Sequence, residues 1–197
     1  ILGMHQIATG TQHMRTSSRP DGGYYAVPPD SVKAYPELLR ASGYYTYTDN
    51  KLDYQFSSPF PGSGPSTIWD LESAAAADWE RRAPGQPFFG MINFQVTHES
   101  GVFRPLGSMP HSAMHLVMQV LRWYLQDGPV VEVVEPQAII VPPYYPDTPT
   151  VRADMARHYN NIAYMDAEVG AILHALEAAG LADTTIVIWT TDHGDGL

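Results

Sequence analysis

From residue 151 to residue 179, apolar side chains return every three or four positions: Val151, Met155, Tyr159, Ile162, Met165, Val169, Ile172 and Leu176. That spacing matches the 3.6-residue turn and predicts one long helix with a buried stripe. Thr148 followed by Pro149 supplies a start signal, and Gly180 a stop. An apolar, β-rich run over residues 184–189 comes next and is predicted to be a buried strand. It drives straight into Asp192-His193-Gly194-Asp195. A long helix returning to a buried strand requires a layered core, with helices packed on a sheet.

The same grammar appears earlier in the chain. Residues 31–42 carry Val32, Tyr35, Leu38 and Leu39 at helical spacing, with Gly43 at the stop, and a β-forming run over 44–48 follows. Asp49-Asn50-Lys51 comes directly after it. Residues 69–82, with alanines at 74–77, predict a second helix that "APGQP" ends. The near-continuous apolar run over 88–94 then fits a strand buried on both faces, and Thr97-His98-Glu99 follows. Residues 109–126 have room for one amphipathic helix, and the Pro-rich stretch over 134–149 reads as an extended surface connection. Helix, strand and polar exit in repeated order define an α/β protein with a mostly parallel sheet. In such sheets ligands bind beyond the carboxyl ends of the strands.

Three predicted strands end in ionisable groups: Lys51 with Asp53, His98, and Asp192 with His193 and Asp195. Each has a functional and a plain reading. Asp192 and His193 put a carboxylate beside an imidazole, a donor set for Ca²⁺ or Mg²⁺ that also suits Mn²⁺ or Zn²⁺; Asp and Gly are equally the residues of a turn. Lys51 could anchor a sulfate or phosphate oxygen or lie solvated on the surface. Asp53 could position Lys51 or face water. His98 could exchange a proton near neutral pH or serve as an ordinary loop residue. His13, near Arg15, has the chemistry to bind an anion. His111 and His115 are four apart but lack the glutamate of a metalloprotease helix, and read as structural.

The totals narrow the classes. The chain has 197 residues, 44% apolar and 16% charged, so it has material for a packed core. A formal net charge of −10 argues against a non-specific nucleic-acid binder, which neutralises phosphates with Lys and Arg. With no cysteine, disulfides, thiolate metal sites and cysteine nucleophiles are excluded within these residues. No run is long and apolar enough to span a bilayer. There is no Walker loop, no Gly-x-Gly-x-x-Gly and no Gly-x-Ser-x-Gly. Residues 1–10 lack the basic leader and apolar core of a signal peptide and lack an initiator Met, so the compartment stays unread.

Four blocks, in order, resemble the type I sulfatases of the alkaline-phosphatase-like superfamily. "ILGMHQIATGTQHMRT" is similar to the family's "LLTGMYxxxxGxHxxR". "YPELLRASGYYTYTDNKLDYQF" is similar to "LLRxxGYxTxxxGKxDY", with Asn50 where the family usually has Gly. "PFFGMINFQVTHES" is similar to the strand ending in an "xPHxP" histidine, and the segment from Asn160 to Leu197 to the helix, "GLADNT" turn and Asp-His-Gly strand exit. The resemblance implies an alkaline-phosphatase-like sandwich with a mostly parallel central sheet flanked by helices. It implies a sulfuric-ester hydrolase that uses formylglycine and a divalent metal, usually Ca²⁺, on a sulfated small molecule or glycan. By position, Asp192 and His193 would ligate the metal, Lys51 would contact the sulfate or leaving oxygen, and His98 would protonate the leaving group or hold the sulfate. His13 and Asp53 would contact substrate.

On this reading residues 1–197 are part of a single catalytic domain truncated at both ends, inactive alone, with a variable insertion at about 103–134. The formylglycine precursor would fall before Ile1. Two other classes stay open: a phosphatase or phosphodiesterase of the same superfold, and a non-catalytic relative that binds sulfated glycans.

Overall fold

The computed structural model describes residues 1–13, 23–24, 26, 28–49, 51–52, 54, 68–72, 74–98, 113, 116–117, 120 and 131–191. It divides into two units, Ile1–Asn93 and Phe94–Leu197.

The first unit is built on two parallel strands. Helix α1, Tyr35–Ala41, precedes strand β1, Tyr45–Thr48, which pairs with β2, Phe88–Met91. The register sets Tyr45 beside Phe88 and Thr48 beside Met91. Helix α1 starts later than the sequence predicts, because Pro36 favours the first turn and Glu37 Oε2 accepts the Ala34 amide at 2.8 Å. Its end follows the glycine signal. Gly43 adopts φ +92°, the Tyr44 amide donates to Leu39 O at 3.0 Å and the Gly43 amide to Arg40 O at 2.9 Å. These are the paired bonds of a Schellman stop.

Residues 69–82 are not the helix predicted for them. The Asp70 and Leu71 amides donate to Thr46 O, the Thr48 amide donates to Leu71 O, and the Ala74 amide to Thr48 O. Asp70 Oδ2 also accepts the Thr46 amide at 2.9 Å, and Asp70 Oδ1 takes Arg40 Nε at 3.0 Å. Asp70, Leu71 and Ala74 thus line the free edge of β1, and those pairings outweigh the helical preference of the alanines. Among the described residues of this stretch, Asp78–Arg81 forms a 3-10 turn.

The core of this unit holds Ala34, Leu52, Ile68 and Trp69, with Trp69 stacked on Phe89 at a centroid distance of 5.8 Å. Thr46, Tyr47 and Thr48 are buried along β1. Burial, with Asp78 nearby, pushes the Tyr47 hydroxyl above its ordinary pKa.

The second unit is organised by helix α2, Pro149–Ala178. Thr148 Oγ1 accepts the Val151 amide at 3.3 Å, and Pro149 opens the first turn, as the sequence predicts. Gly180, at φ +68°, closes the helix with the Leu181 amide on Leu176 O and the Gly180 amide on Glu177 O. Met155, Ala156 and Leu176 are buried along it, whereas Tyr159, expected inward, is exposed.

Residues 131–147 are strapped to the first half of α2. Ile139 packs on Met155 and Ala156, flanked by Val134, Val141 and Val151. The Asn160 amide bonds both backbone groups of Val134, accepting the N–H at 2.7 Å and donating to the carbonyl at 3.2 Å. Arg152 donates to Ile139 O at 2.8 Å and grips the Asp147 carboxylate with two nitrogens. That hydrogen-bonded guanidinium holds the Asp147 carboxyl below its ordinary value.

The strand predicted at 184–189 is not in a ladder among the described residues. Ala182–Thr184 forms a 3-10 turn, Thr185 is extended, and Ile186 and Ile188 are 88% and 78% exposed. A strand is buried only when a neighbour takes its hydrogen bonds and its faces, and among the described residues none does so here. Trp189 lies near Phe94, ring centroids 6.1 Å apart. The helix expected within 109–126 falls almost entirely outside the described residues.

Candidate functional site

The carboxyl ends of β1 and β2 lie at one edge, because the strands are parallel. The last rung of the pair is reinforced by Thr48 Oγ1, which donates to Met91 O at 3.0 Å. One residue further on, Asp49 Oδ2 accepts the Asn93 amide at 2.9 Å and Oδ1 accepts Asn93 Nδ2 at 2.7 Å. Both carboxylate oxygens are therefore spent on one residue beyond the end of β2. Lys51 follows two positions later, and its side chain is exposed. Leu52, next in the chain, is 2% exposed in the core of the unit. Lys51 therefore stands in the sequence between the Asp49–Asn93 clasp and a buried leucine, with an exposed side chain just past the end of β1.

His13 lies in the same unit. Its Nδ1 is 3.1 Å from the Tyr24 hydroxyl, which donates to Gly10 O at 3.0 Å. The two rings meet edge to face, so the imidazole has a defined orientation on an exposed surface.

His98 belongs to the second unit. It follows the 3-10 turn Gln95–Thr97, which packs on α2, where Thr97 Oγ1 reaches Met165 Sδ at 3.6 Å. His98 follows the turn directly and is exposed. Lys51 and His98 thus each follow a strand in the chain, but in different units, and each is described within its own. Asp53, Asp192, His193 and Asp195, with Arg15, His111 and His115, lie outside the described residues. Among the described residues no group of three or more His, Asp or Glu side chains converges as a metal site, and no helix is long and apolar enough to cross a membrane.

Asn93 is not among the candidates that the motifs single out, and Asp49 enters there only as a neighbour of Lys51. A signal was present: Asn93 is the one polar side chain in the apolar run over 88–94. A polar group in such a run needs a partner, and the partner here is Asp49.

Helix α1 and the parallel pair β1–β2, with Lys51 just past the carboxyl end of β1, are α/β in character. The sulfatase family model matches residues 2–197, and the chain belongs to the sulfatase family. It is 39% identical to an ulvan-active sulfatase of Formosa agariphila over 212 aligned positions, which cover 99% of this chain and 34% of that protein. It is 42% identical to the human N-sulphoglucosamine sulphohydrolase over 60 positions, 30% of this chain and 12% of that one. The chain therefore spans about a third of the first relative and an eighth of the second.

Proposed function

We propose that the protein to which these residues belong hydrolyses a sulfate ester of a small molecule or glycan, on an alkaline-phosphatase-like sandwich of which residues 1–197 form part. The observation that carries this reading is the presentation of Lys51 at the carboxyl edge of the parallel strands, in a chain matched by the sulfatase family model from residue 2 to residue 197. In this reading residues at about 103–134 are a variable insertion within one catalytic domain.

The chemistry follows from the groups available. A sulfate monoester carries its charge on the terminal oxygens, and more gathers on the leaving oxygen as the S–O bond breaks. Lys51 neutralises charge on these oxygens. His98 holds a proton at an imidazole nitrogen and delivers it to the leaving alcohol. His13, fixed against Tyr24, contributes a further contact to the substrate, and Asp53 orients the Lys51 side chain or a substrate hydroxyl. The donor set of Asp192 and His193, a carboxylate oxygen beside an imidazole nitrogen, fits a divalent cation such as Ca²⁺. When bound, that metal would add positive charge at the sulfate, and a formylglycine outside residues 1–197 would supply the attacking oxygen.

The test is a panel of sulfate and phosphate esters offered to the full-length protein and to its Lys51→Ala variant. Ulvan belongs in the panel because the 39% identical relative is named for activity on it. The expected result is sulfate release by the wild type and a loss of about a hundredfold or more in kcat/KM on removing Lys51, the order seen when a stabilising charge is removed from a transition state. Phosphatase activity without sulfate release, or an unchanged rate in Lys51→Ala, would overturn the reading. Binding of a sulfated glycan without turnover would mark a non-catalytic relative.

A further inference from the structure

We propose that the Asp49–Asn93 clasp is the device that positions Lys51, making Asp49 and Asn93 positioning residues for the reaction; this rests on the reading of Lys51 as the sulfate-facing cation. Backbone pairing of the two strands ends at Thr48 and Met91. Beyond that point nothing in the ladder restrains the chain leaving β1. The clasp supplies one more tie, made by a side chain, and commits both Asp49 oxygens to Asn93 at 2.7 and 2.9 Å. The bonds are charge-assisted and partly buried, the setting in which such bonds hold geometry best. Lys51 is two residues beyond Asp49 and next to the buried Leu52, so a displacement of Asp49 is passed along a short covalent link to the Lys51 backbone. Lysine reaches its target on a long flexible stem, and the stem's root must be fixed for the ammonium to meet the sulfate in register.

The pair also offers its own control. Exchanging the two residues, Asp49→Asn with Asn93→Asp, turns the side-chain bond round. The new amide at 49 donates to the new carboxylate at 93, while its oxygen still accepts the backbone N–H. Charge and both bonds survive. Either single exchange weakens the match: Asn93→Asp sets carboxylate against carboxylate, and Asp49→Asn takes the charge out of both bonds and keeps the side-chain bond only if the Asn93 amide turns over.

The experiment measures kcat and KM for 4-nitrophenyl sulfate with the full-length protein, together with Tm, for Asp49→Asn, Asn93→Asp, the exchanged pair, the milder Asn93→Ala, and Lys51→Ala alone and combined with Asp49→Asn. We expect each single exchange to lower kcat about tenfold with KM held within about twofold, as misplacement of a reacting group does. Asn93→Ala, which keeps the backbone bond, loses about threefold, and the exchanged pair returns to within about threefold of wild type. In the Lys51→Ala background Asp49→Asn has no further effect on rate, because the group it positions is gone. Wild-type kcat in all the clasp variants, failure of the exchanged pair to recover a folded protein's rate, or an undiminished tenfold loss in the Lys51→Ala background would overturn the proposal. An absence of sulfate-ester turnover in the wild type, or full activity in Lys51→Ala, would instead bring down the reading of Lys51, and this inference with it.

Discussion

Gly90 shows how one position with no side chain determines the packing of β1 on β2. A Cβ added there would collide with the Tyr47 ring, which lies against the strand and sends its hydroxyl to Ala76 O at 3.3 Å. The ring is buried along β1 and cannot move aside without opening the core. Gly90→Ala is therefore expected to cost about 1–3 kcal/mol, the range of overpacked cores, and thermal melting of the full-length protein measures it. The cost falls when the same change is made with Tyr47→Leu, since the two residues share one space. Nothing in the sequence marks Gly90 for this role; it reads as a gap in an apolar run. Asp49 and Asn93 were half legible, each a polar group in a place that calls for a partner, but sequence alone does not say that the partner is the other.

At the scale of elements, the legible features were those with local chemistry. Thr148-Pro149 and Gly180 bound α2 as their types dictate, and Gly43 ends α1. If the Thr148 hydroxyl caps α2 as its 3.3 Å bond to the Val151 amide indicates, Thr148→Ala should destabilise the first turn by about 1 kcal/mol. Hydrogen exchange over residues 149–153 should then quicken about fivefold, the factor such a free energy implies, and unchanged exchange would remove the cap from the account. The features that escaped the sequence were those decided at a distance. Alanines at 74–77 favour a helix, yet Asp70 and Leu71 bond Thr46 and Ala74 bonds Thr48, which draws this part of the chain along β1. The run over 184–189 has strand composition, but composition cannot supply the neighbour a strand needs, and no ladder forms there among the described residues. The fold class was legible in its coarse form, as parallel strands with helices, though among the described residues the helix expected between the two strands is not there. Lys51 follows β1 as the sequence predicts, and His98 follows β2 only after a 3-10 turn, whereas the Asp49–Asn93 clasp was not legible, because its two halves stand 44 residues apart.

For the whole molecule, the formal charge of −10 sets a condition on the proposed reaction. An acidic protein that handles an anion must concentrate positive charge at the place of contact, which is the part assigned to Lys51 and to a divalent metal at Asp192 and His193. Chelation should therefore abolish sulfate release by the full-length protein and lower its Tm, with both restored by Ca²⁺, since a metal that binds the folded state stabilises it by mass action. Full activity after exhaustive chelation would remove the metal from the mechanism. The attachment of residues 131–147 to α2 has a different consequence. Asn160 meets the N–H and the carbonyl of Val134 as a neighbouring strand would, so alignment against the helix begins afresh at that residue. Whatever length of chain arrives from upstream, its count is reset there. If the proposed insertion at about 103–134 differs in length among relatives, residues 134–147 would still keep their place on α2, and the surface could vary there without a shift of the helix beneath.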